Sequence, residues 1–380
     1  MNYKIMEHGT VYASESIFGY TAWPTVAKIQ DGTLLVACSA FRLRHVCPFG
    51  KTSLMKSTDG GKTWSEPMPV IDTQLDDRDG GLCVFNNKVM VTSFNNSIDF
   101  QRTQIPPDTK DKKDLFRLAY CECVDVAEAE KSLGSTYRIS EDGGNTFGGM
   151  GILPITSPHG PCQLQDGRLF YVGRAFSSLE SNPQILYHHP NKYKRMGEYD
   201  SLIDGLYYMF SGDEGKTWSP PKELPYLDNI WADGRFCCEP HAIQLKNGRI
   251  LVHIRVEKWG PDGMFSTYQC YSDDNGQTFS KPIRIVEKGA PSHLVQLSDG
   301  TVVCTFGYRS APFGQRAKYS VDNGECWSED IVLRDDGENW DLGYPSTVEL
   351  ENGDLFTVYY QRPSNCKNAG IYYTKWRIEK

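Results

Sequence analysis

Glu239 and Tyr344 each lie nine residues ahead of a turn glycine, Gly248 and Gly353, in segments that read as short apolar strands. Residues of equal phase on equivalent strands reach the same level of a repeated sheet, so a carboxylate and a phenol are expected to meet. A carboxylate that takes the phenolic proton makes the phenol a competent nucleophile. Arginines keep a phase of their own around this pair. Arg42, Arg174, Arg255, Arg309 and Arg362 fall seven to ten residues beyond the nearest turn glycine. Surface arginines would not keep such a phase, and as a group these predict an electropositive funnel that favours an anionic ligand. Arg78, in Arg78-Asp79-Gly80, opens a strand on the same side.

His159, His241 and His293 precede their turn glycines by eight, seven and seven residues. Three imidazoles at one level could meet a metal. Hydrogen bonding to a sugar hydroxyl or to a neighbouring strand is the expectation for each, and neither a metal nor another cofactor is expected. Trp23, Trp231, Trp259 and Trp340 fall near the same level, where one or two would stack on a sugar and the rest would pack in the core.

The elements that must position these residues follow from two repeated turns. Ser57-Thr58-Asp59-Gly60-Gly61-Lys62-Thr63-Trp64 recurs as Ser140 to Phe147, Ser211 to Trp218, Ser272 to Phe279 and Ser320 to Trp327, the last with Cys326 in place of threonine. In this box Asp accepts bonds from turn amides, Gly supplies positive φ, and the aromatic residue is expected to plug one end of a small sheet. A second turn alternates with the first: Asp31-Gly32, Asn86-Asn87, Asp166-Gly167, Asn247-Gly248, Asp299-Gly300 and Asn352-Gly353, each between apolar strands. These read as type I′ hairpins. Six such units predict an all-β fold, a six-bladed β-propeller of four-stranded antiparallel blades with Asp-box turns, as a single domain over 1–380. Turn-to-turn intervals of 55, 80, 81, 52 and 53 residues place long insertions in blades 2 and 3, at about 96–135 and 175–205, and Phe116 to Leu133 reads as a short helix. Tyr3 to Ala13 or Ile371 to Ile378 would supply the missing strand of the last blade. Both turn types lie on one face, so strand-A starts and strand-B ends gather on the other, where chemistry is expected.

The boxes resemble the Asp-box repeats of the sialidase (neuraminidase) superfamily, over nearly the whole chain. Two segments are similar to that family's functional ones. Glu239 to Arg255 resembles the segment in which a glutamate precedes a ligand-binding arginine by sixteen residues, and Asp341-Leu342-Gly343-Tyr344-Pro345-Ser346 resembles the one that carries a nucleophilic tyrosine. The resemblance implies Tyr344 as nucleophile, Glu239 as its base, and Arg255 and Arg309 on the substrate carboxylate, with Arg316 a looser alternative to Arg309. The family's first Arg-Ile-Pro is replaced by Ala22-Trp23-Pro24, so one carboxylate-binding arginine is missing and Arg42 or Arg78 would substitute. The family's general acid, an aspartate, has no counterpart where His45 stands. His45 is one candidate acid, and Asp77 and Asp79 are the others.

The implied activity is exo-hydrolysis of a terminal acidic sugar, sialic acid first, from a glycan. Hydrolysis of another sugar, lysis at a uronic acid and non-catalytic carbohydrate binding remain alternatives. A net charge of −8 with no Lys/Arg block argues against nucleic acid as a partner, and no apolar run of membrane-spanning length occurs. Twelve cysteines without Cys-x-x-Cys spacing read as buried thiols of a cytoplasmic protein, with secretion the alternative for a processed chain.

Overall fold

The computed structural model describes residues 2–175, 205–225, 235–258 and 263–379. Its inner hairpins show why the turns recur. In five of the six, the glycine N–H bonds the carbonyl three residues back (Gly32 to Ile29, Gly167 to Leu164, Gly248 to Leu245, Gly300 to Leu297, Gly353 to Leu350), and the pair closes one residue later, as between Leu245 N and Arg249 O at 2.8 Å. Those glycines have φ between 78° and 95°, while the Asp or Asn before each stays at negative φ. This is a right-handed turn followed by a left-handed glycine, not the expected type I′ turn. The Asp or Asn side chain accounts for the difference. Asp31, Asp299 and Asn247 each accept a bond from the amide two residues on, which fixes them in the ordinary right-handed turn. Among the six, Asn86-Asn87 takes the primed form, with φ of 46° and 62°.

The chain makes six sheets, read as blades from the axis outward as strands A to D. Blade 1 is Tyr20–Lys28, Leu34–Arg42, Lys51–Ser57 and Met68–Ile71. Blade 2 is Asp76–Phe85, Lys88–Asn96, Ser135–Ser140 and Gly151–Leu153. In blade 3 strand A is split into Ile155–Thr156 and Cys162–Gln163, followed by Leu169–Ala175, Leu206–Ser211 and Lys222–Glu223. Blade 4 is Arg235–Gln244, Ile250–Lys258, Met264–Ser272 and Ile283–Val286. Blade 5 is Ser292–Gln296, Val302–Tyr308, Gly314–Ser320 and Ile331–Arg334. Blade 6 takes Gly343–Glu349, Leu355–Gln361 and Gly370–Glu379, and its outermost strand is the N-terminal Asn2–Tyr12. Both terminal segments therefore serve, as strands C and D, rather than one or the other. Asn2 pairs with Glu379, which closes the ring and removes its open edge.

The five boxes carry the bonds their sequence implies. In the first, Asp59 Oδ1 accepts from Lys62 N and Thr63 N, Oδ2 accepts from Thr63 Oγ1 at 2.6 Å, and Ser57 Oγ accepts from Gly61 N. These bonds hold Asp59 well below the usual carboxylate range, the Thr63 bonds first. The box aromatics do not cap their own sheets, as expected, but lie in the seams between blades. Trp64 of blade 1 packs on Phe356 of blade 6, and Phe279 of blade 4 stacks on Phe170 of blade 3. The core is a ring of such seams. Leu35, Val70 and Val91 fill the one between blades 1 and 2, and Leu297, Leu355 and Trp376 the one between blades 5 and 6.

The blade 2 insertion is helical, with α1 (Ile98–Thr103), α2 (Lys112–Cys123) and α3 (Val126–Ala129). Asp111 caps α2 by accepting from Lys113 N and Asp114 N. Leu75, Ile98, Cys121, Ala129 and Leu133 fix these helices to the propeller. The expected blade 3 insertion at about 175–205 lies almost entirely outside the described residues.

Candidate active site

Strand A of blades 1, 2, 4 and 6 shares an equivalent register break, skipping two residues between Ala22 and Thr25, Arg78 and Gly81, Cys238 and His241, and Gly343 and Ser346. The first skipped residue is left-handed in every case: Trp23 (φ 56°), Asp79 (49°), Glu239 (47°) and Tyr344 (52°). The second is Pro24, Gly80, Pro240 or Pro345. Proline suits an unpaired position because it has no N–H to leave unbonded. Gly80 is required by space, since a Cβ there would stand 2.7 Å from Cys38 N. A left-handed residue other than glycine costs roughly 1–2 kcal/mol, and such strain gathers where side chains must be re-aimed.

Three of the four re-aimed residues, Asp79, Glu239 and Tyr344, line a cavity of about 400 Å³ on the face opposite the boxes. Tyr344 Oη donates to Glu239 Oε1 at 2.6 Å. Arg255 Nη1 donates to Glu239 Oε2 and lies 3.3 Å from Tyr344 Oη. Its Nε donates to Glu257 Oε2 at 2.9 Å, and Nη2 faces the same oxygen. Arg309, Arg174 and Arg78 also line the cavity. Arg309 donates Nε to Leu342 O at 3.0 Å, and its guanidinium sits 5.6 Å from the Tyr344 ring centre.

These neighbours set the protonation states. Burial acts to raise Glu239, but Arg255, the Tyr344 bond and Arg309 together hold it below its ordinary value, so it is ionised. Burial, then the charges of Glu239 and Asp79, push the Tyr344 phenol well up. Burial outweighs neighbouring Arg78 at Asp79 and pushes that carboxyl up to about 7, with Oδ1 buried and unpartnered. Burial also raises Glu257, against the pull of Arg255. The site thus holds an ionised base on a neutral phenol and, separately, a carboxylic acid that keeps its proton near neutrality.

Other expected site residues lie elsewhere or are committed. Trp23 occupies the equivalent position in blade 1 but is buried below the cavity, 4.0 Å under the Arg78 guanidinium, so it supports that arginine and offers no stacking face. Arg42 is fully buried and bonds Asp76, Ser39 and the carbonyls of His45 and Asp77. It locks blade 1 to blade 2 and cannot replace the missing arginine. Arg255 reaches the floor, but Glu239, Tyr344 and Glu257 occupy its fork. Arg78 is taken up largely by His45, through its carbonyl at 2.6 Å and Nε2 at 3.3 Å. Arg316 bonds the carbonyls of Gln315 and Pro312 and lies outside the cavity, and Arg362 pairs with Glu338 at 2.7 Å.

His159, His241 and His293 do meet, with ring centres 4.3 to 5.3 Å apart, beneath the cavity rather than lining it. Their Nδ1 atoms lie within bonding distance of Thr25 Oγ1, Leu294 N and Thr347 N. Burial, then the neighbouring imidazoles, hold all three well below the ordinary histidine pKa. No group of three or more residues that could hold a metal occurs among the described residues. His45 does line the cavity. Its nitrogens face Tyr20, Asp341 and Arg78, and desolvation among them holds the imidazole below its ordinary pKa despite Asp341. Asp77 lies outside the cavity, bonded to Thr73 and Asn95. Trp231 and Trp259 lie outside the described residues, while Trp340 is half exposed on the cavity rim.

Arg174 lines the site, where its strand phase placed it, while Glu257 and the helical insertion's Phe100 and Gln104 line it without having been assigned to it from sequence. Glu257 was accessible to period-two reasoning, since it stands two residues past Arg255 on one strand. The insertion residues had no periodic signal.

Residues 102–357 match the family of BNR repeat-like domains, and residues 55–66 match the BNR/Asp-box repeat. Among solved structures, a protein of unknown function from Dyadobacter fermentans is 20% identical, with a TM-score of 0.75 and 99% of each chain covered. The intramolecular trans-sialidase of Ruminococcus gnavus is 14% identical, with a TM-score of 0.60 and 97% of each chain covered. The α-L-arabinanase of Penicillium chrysogenum is 14% identical, with a TM-score of 0.62 and 98% of each chain covered. The propeller is thus shared with enzymes that act on quite different sugars, and the site must carry the functional argument.

Proposed function

The chain belongs to the BNR repeat-like family, and from that premise we propose that it is a glycoside hydrolase that removes a terminal acidic sugar, sialic acid first, from a glycan. The observation that carries this reading is the 2.6 Å bond from the Tyr344 phenol to Glu239, with Asp79 on the same cavity wall. Tyr344 Oη attacks the anomeric carbon while Glu239 takes the phenolic proton. Asp79 gives its proton to the departing glycosidic oxygen, and that carbon–oxygen bond breaks. In the second half Asp79, now ionised, takes a proton from water, the water oxygen bonds the anomeric carbon, and the tyrosyl–sugar bond breaks as Glu239 returns the proton. The configuration at the anomeric carbon is retained.

A phenol suits an acidic sugar. A carboxylate nucleophile would be repelled by the substrate's own carboxylate, whereas the phenol carries its attack through a neutral group. Four arginines around the cavity favour an anion, and Arg309 is the one whose terminal nitrogens have no protein partner among the described residues. Arg255 acts as a positioning residue that keeps Glu239 ionised. Incubation with 2,3-difluorosialic acid followed by peptide mass spectrometry tests the assignment. A sugar adduct on the Tyr344 peptide is expected, and an adduct on any other residue overturns it.

A further inference from the structure

Beside the cavity lies a second one of about 480 Å³, and the two share His45, Val46, Gln104 and Trp340. Helix α2 walls it with Lys113 and Arg117, one helical turn apart on one face. Arg44, Arg362 and Lys367 line it from blades 1 and 6. Asp341 is the one carboxylate in its lining among the described residues, and that group already accepts bonds from Tyr20 and Tyr360 and faces His45. The acids that steady the arginines, Asp111, Asp114 and Glu338, stand outside the lining. Lys113 has no ion-pair partner among the described residues, and its Nζ meets the amide oxygen of Asn368 at 3.2 Å.

The two cavities adjoin along their shared lining. Asp79 stands on blade 2, whose insertion forms the wall between the cavities, and the half-exposed Trp340 sits on the shared rim. We propose that a sugar attached through the oxygen that Asp79 protonates passes over that rim, that the basic cavity is the leaving-group subsite, and that it binds a second acidic sugar, so that the substrate carries anionic groups on two consecutive residues. The naming of the occupant rests on the hydrolase reading above. The insertion in blade 2 then has a function, since it builds the wall that a terminal monosaccharide alone would not need.

The test is calorimetric binding to Tyr344→Phe, which does not consume the ligand. The probes are free sialic acid against α2,8-linked disialic acid, and galacturonic acid against digalacturonic acid. In at least one pair the dimer is expected to bind about tenfold tighter or more than its monomer, as one or two charge-assisted bonds would give. Adding Lys113→Ala and Lys367→Ala is expected to close that gap and leave monomer affinity unchanged, and Lys113→Arg is expected to preserve it. Equal affinity of monomer and dimer in both pairs, no binding of either dimer, or a gap that survives the double variant overturns the subsite. The hydrolase reading fails separately, through the absence of the Tyr344 adduct in the unmodified protein.

Discussion

Tyr344 and Glu239 lie 105 residues apart in sequence and 2.6 Å apart in space, and one backbone device delivers both. Each is the left-handed first residue of a two-residue register break, followed by a proline. The bond between them is thereby set by two strands of the propeller rather than by loops, which gives the precision a nucleophile and base require.

Tyr344→Phe keeps the ring and its packing but removes the attacking oxygen. Turnover of a 4-methylumbelliferyl acidic glycoside is expected to fall about a thousandfold or more, with a similar loss for Glu239→Gln, because paired catalytic groups act as a unit. Thermal unfolding of Tyr344→Phe should change little. Activity within tenfold of the unmodified protein would remove Tyr344 from the mechanism.

Asp79 makes the reaction depend on pH. Its carboxyl, raised to about 7, is protonated below that value and ionised above it. kcat/KM is therefore expected to decline tenfold per pH unit on the alkaline side of about 7. Asp79→Asn should abolish that limb and harm substrates with sugar leaving groups far more than methylumbelliferyl ones, whose departure needs little protonation. Equal damage to both substrate types would argue against an acid role.

Arg309 and Arg255 should separate. Arg309→Lys loses the planar fork toward a carboxylate, and affinity for a free acidic sugar is expected to fall about tenfold to a hundredfold. Arg255→Lys instead disturbs Glu239 and should lower kcat more than it weakens binding, read as a split between kcat and KM. A neutral sugar that binds as tightly as its acidic analogue would contradict the anionic assignment.

The histidine trio gives a stability prediction. Its pKa values are depressed, so the trio contributes stability that is present above about 6.5, the unfolded value, and is lost as pH falls toward the folded values. Each depressed histidine accounts for at most about 1.4 kcal/mol per pH unit across that window. Asp77 and Asp79, both raised to about 7, act oppositely, with stability present below their unfolded value and lost as pH rises through about 7. Urea unfolding of the unmodified protein and His293→Gln between pH 5 and 8 isolates the difference. The variant should lose less stability on acidification, and parallel curves would show that His293 does not titrate on unfolding.

The propeller was legible in sequence because its turns are local. An aspartate that must bond a threonine four residues on, or a glycine that must be left-handed, leaves a mark within eight residues. Glu239 and Tyr344 were legible through phase, and Asp79, with Asp77, as an alternative acid at the opening of the next blade's strand. What could not be read was commitment. Arg42, Arg255 and Arg309 end equivalent strands, yet Asp76 takes the first, Glu257 and Glu239 hold the second, and the third keeps terminal nitrogens without a hydrogen-bond partner among the described residues. Asp76 comes from the next blade, whereas Glu239 and Glu257 belong to the blade of Arg255 itself, and the phase of the arginines does not say which acids fold onto each guanidinium. Trp23 failed as a stacking residue for a related reason, because the arginine that covers it comes from blade 2.

The pairing of Asn2–Tyr12 with Gly370–Glu379 also bears on how the molecule is made. Blades 1 to 5 can each assemble from contiguous chain as it emerges in synthesis, whereas blade 6 waits for a partner that left the ribosome first. Loop-closure entropy rises only slowly with length, so the delay lies in order of events more than in energy. Until the last strand arrives, the seams of blades 1 and 5 that face blade 6 have no cover. Nascent chains stalled short of residue 370 should then be the species that need a chaperone, and a circular permutant cut between blades 3 and 4 should move that vulnerable moment to a different part of the ring.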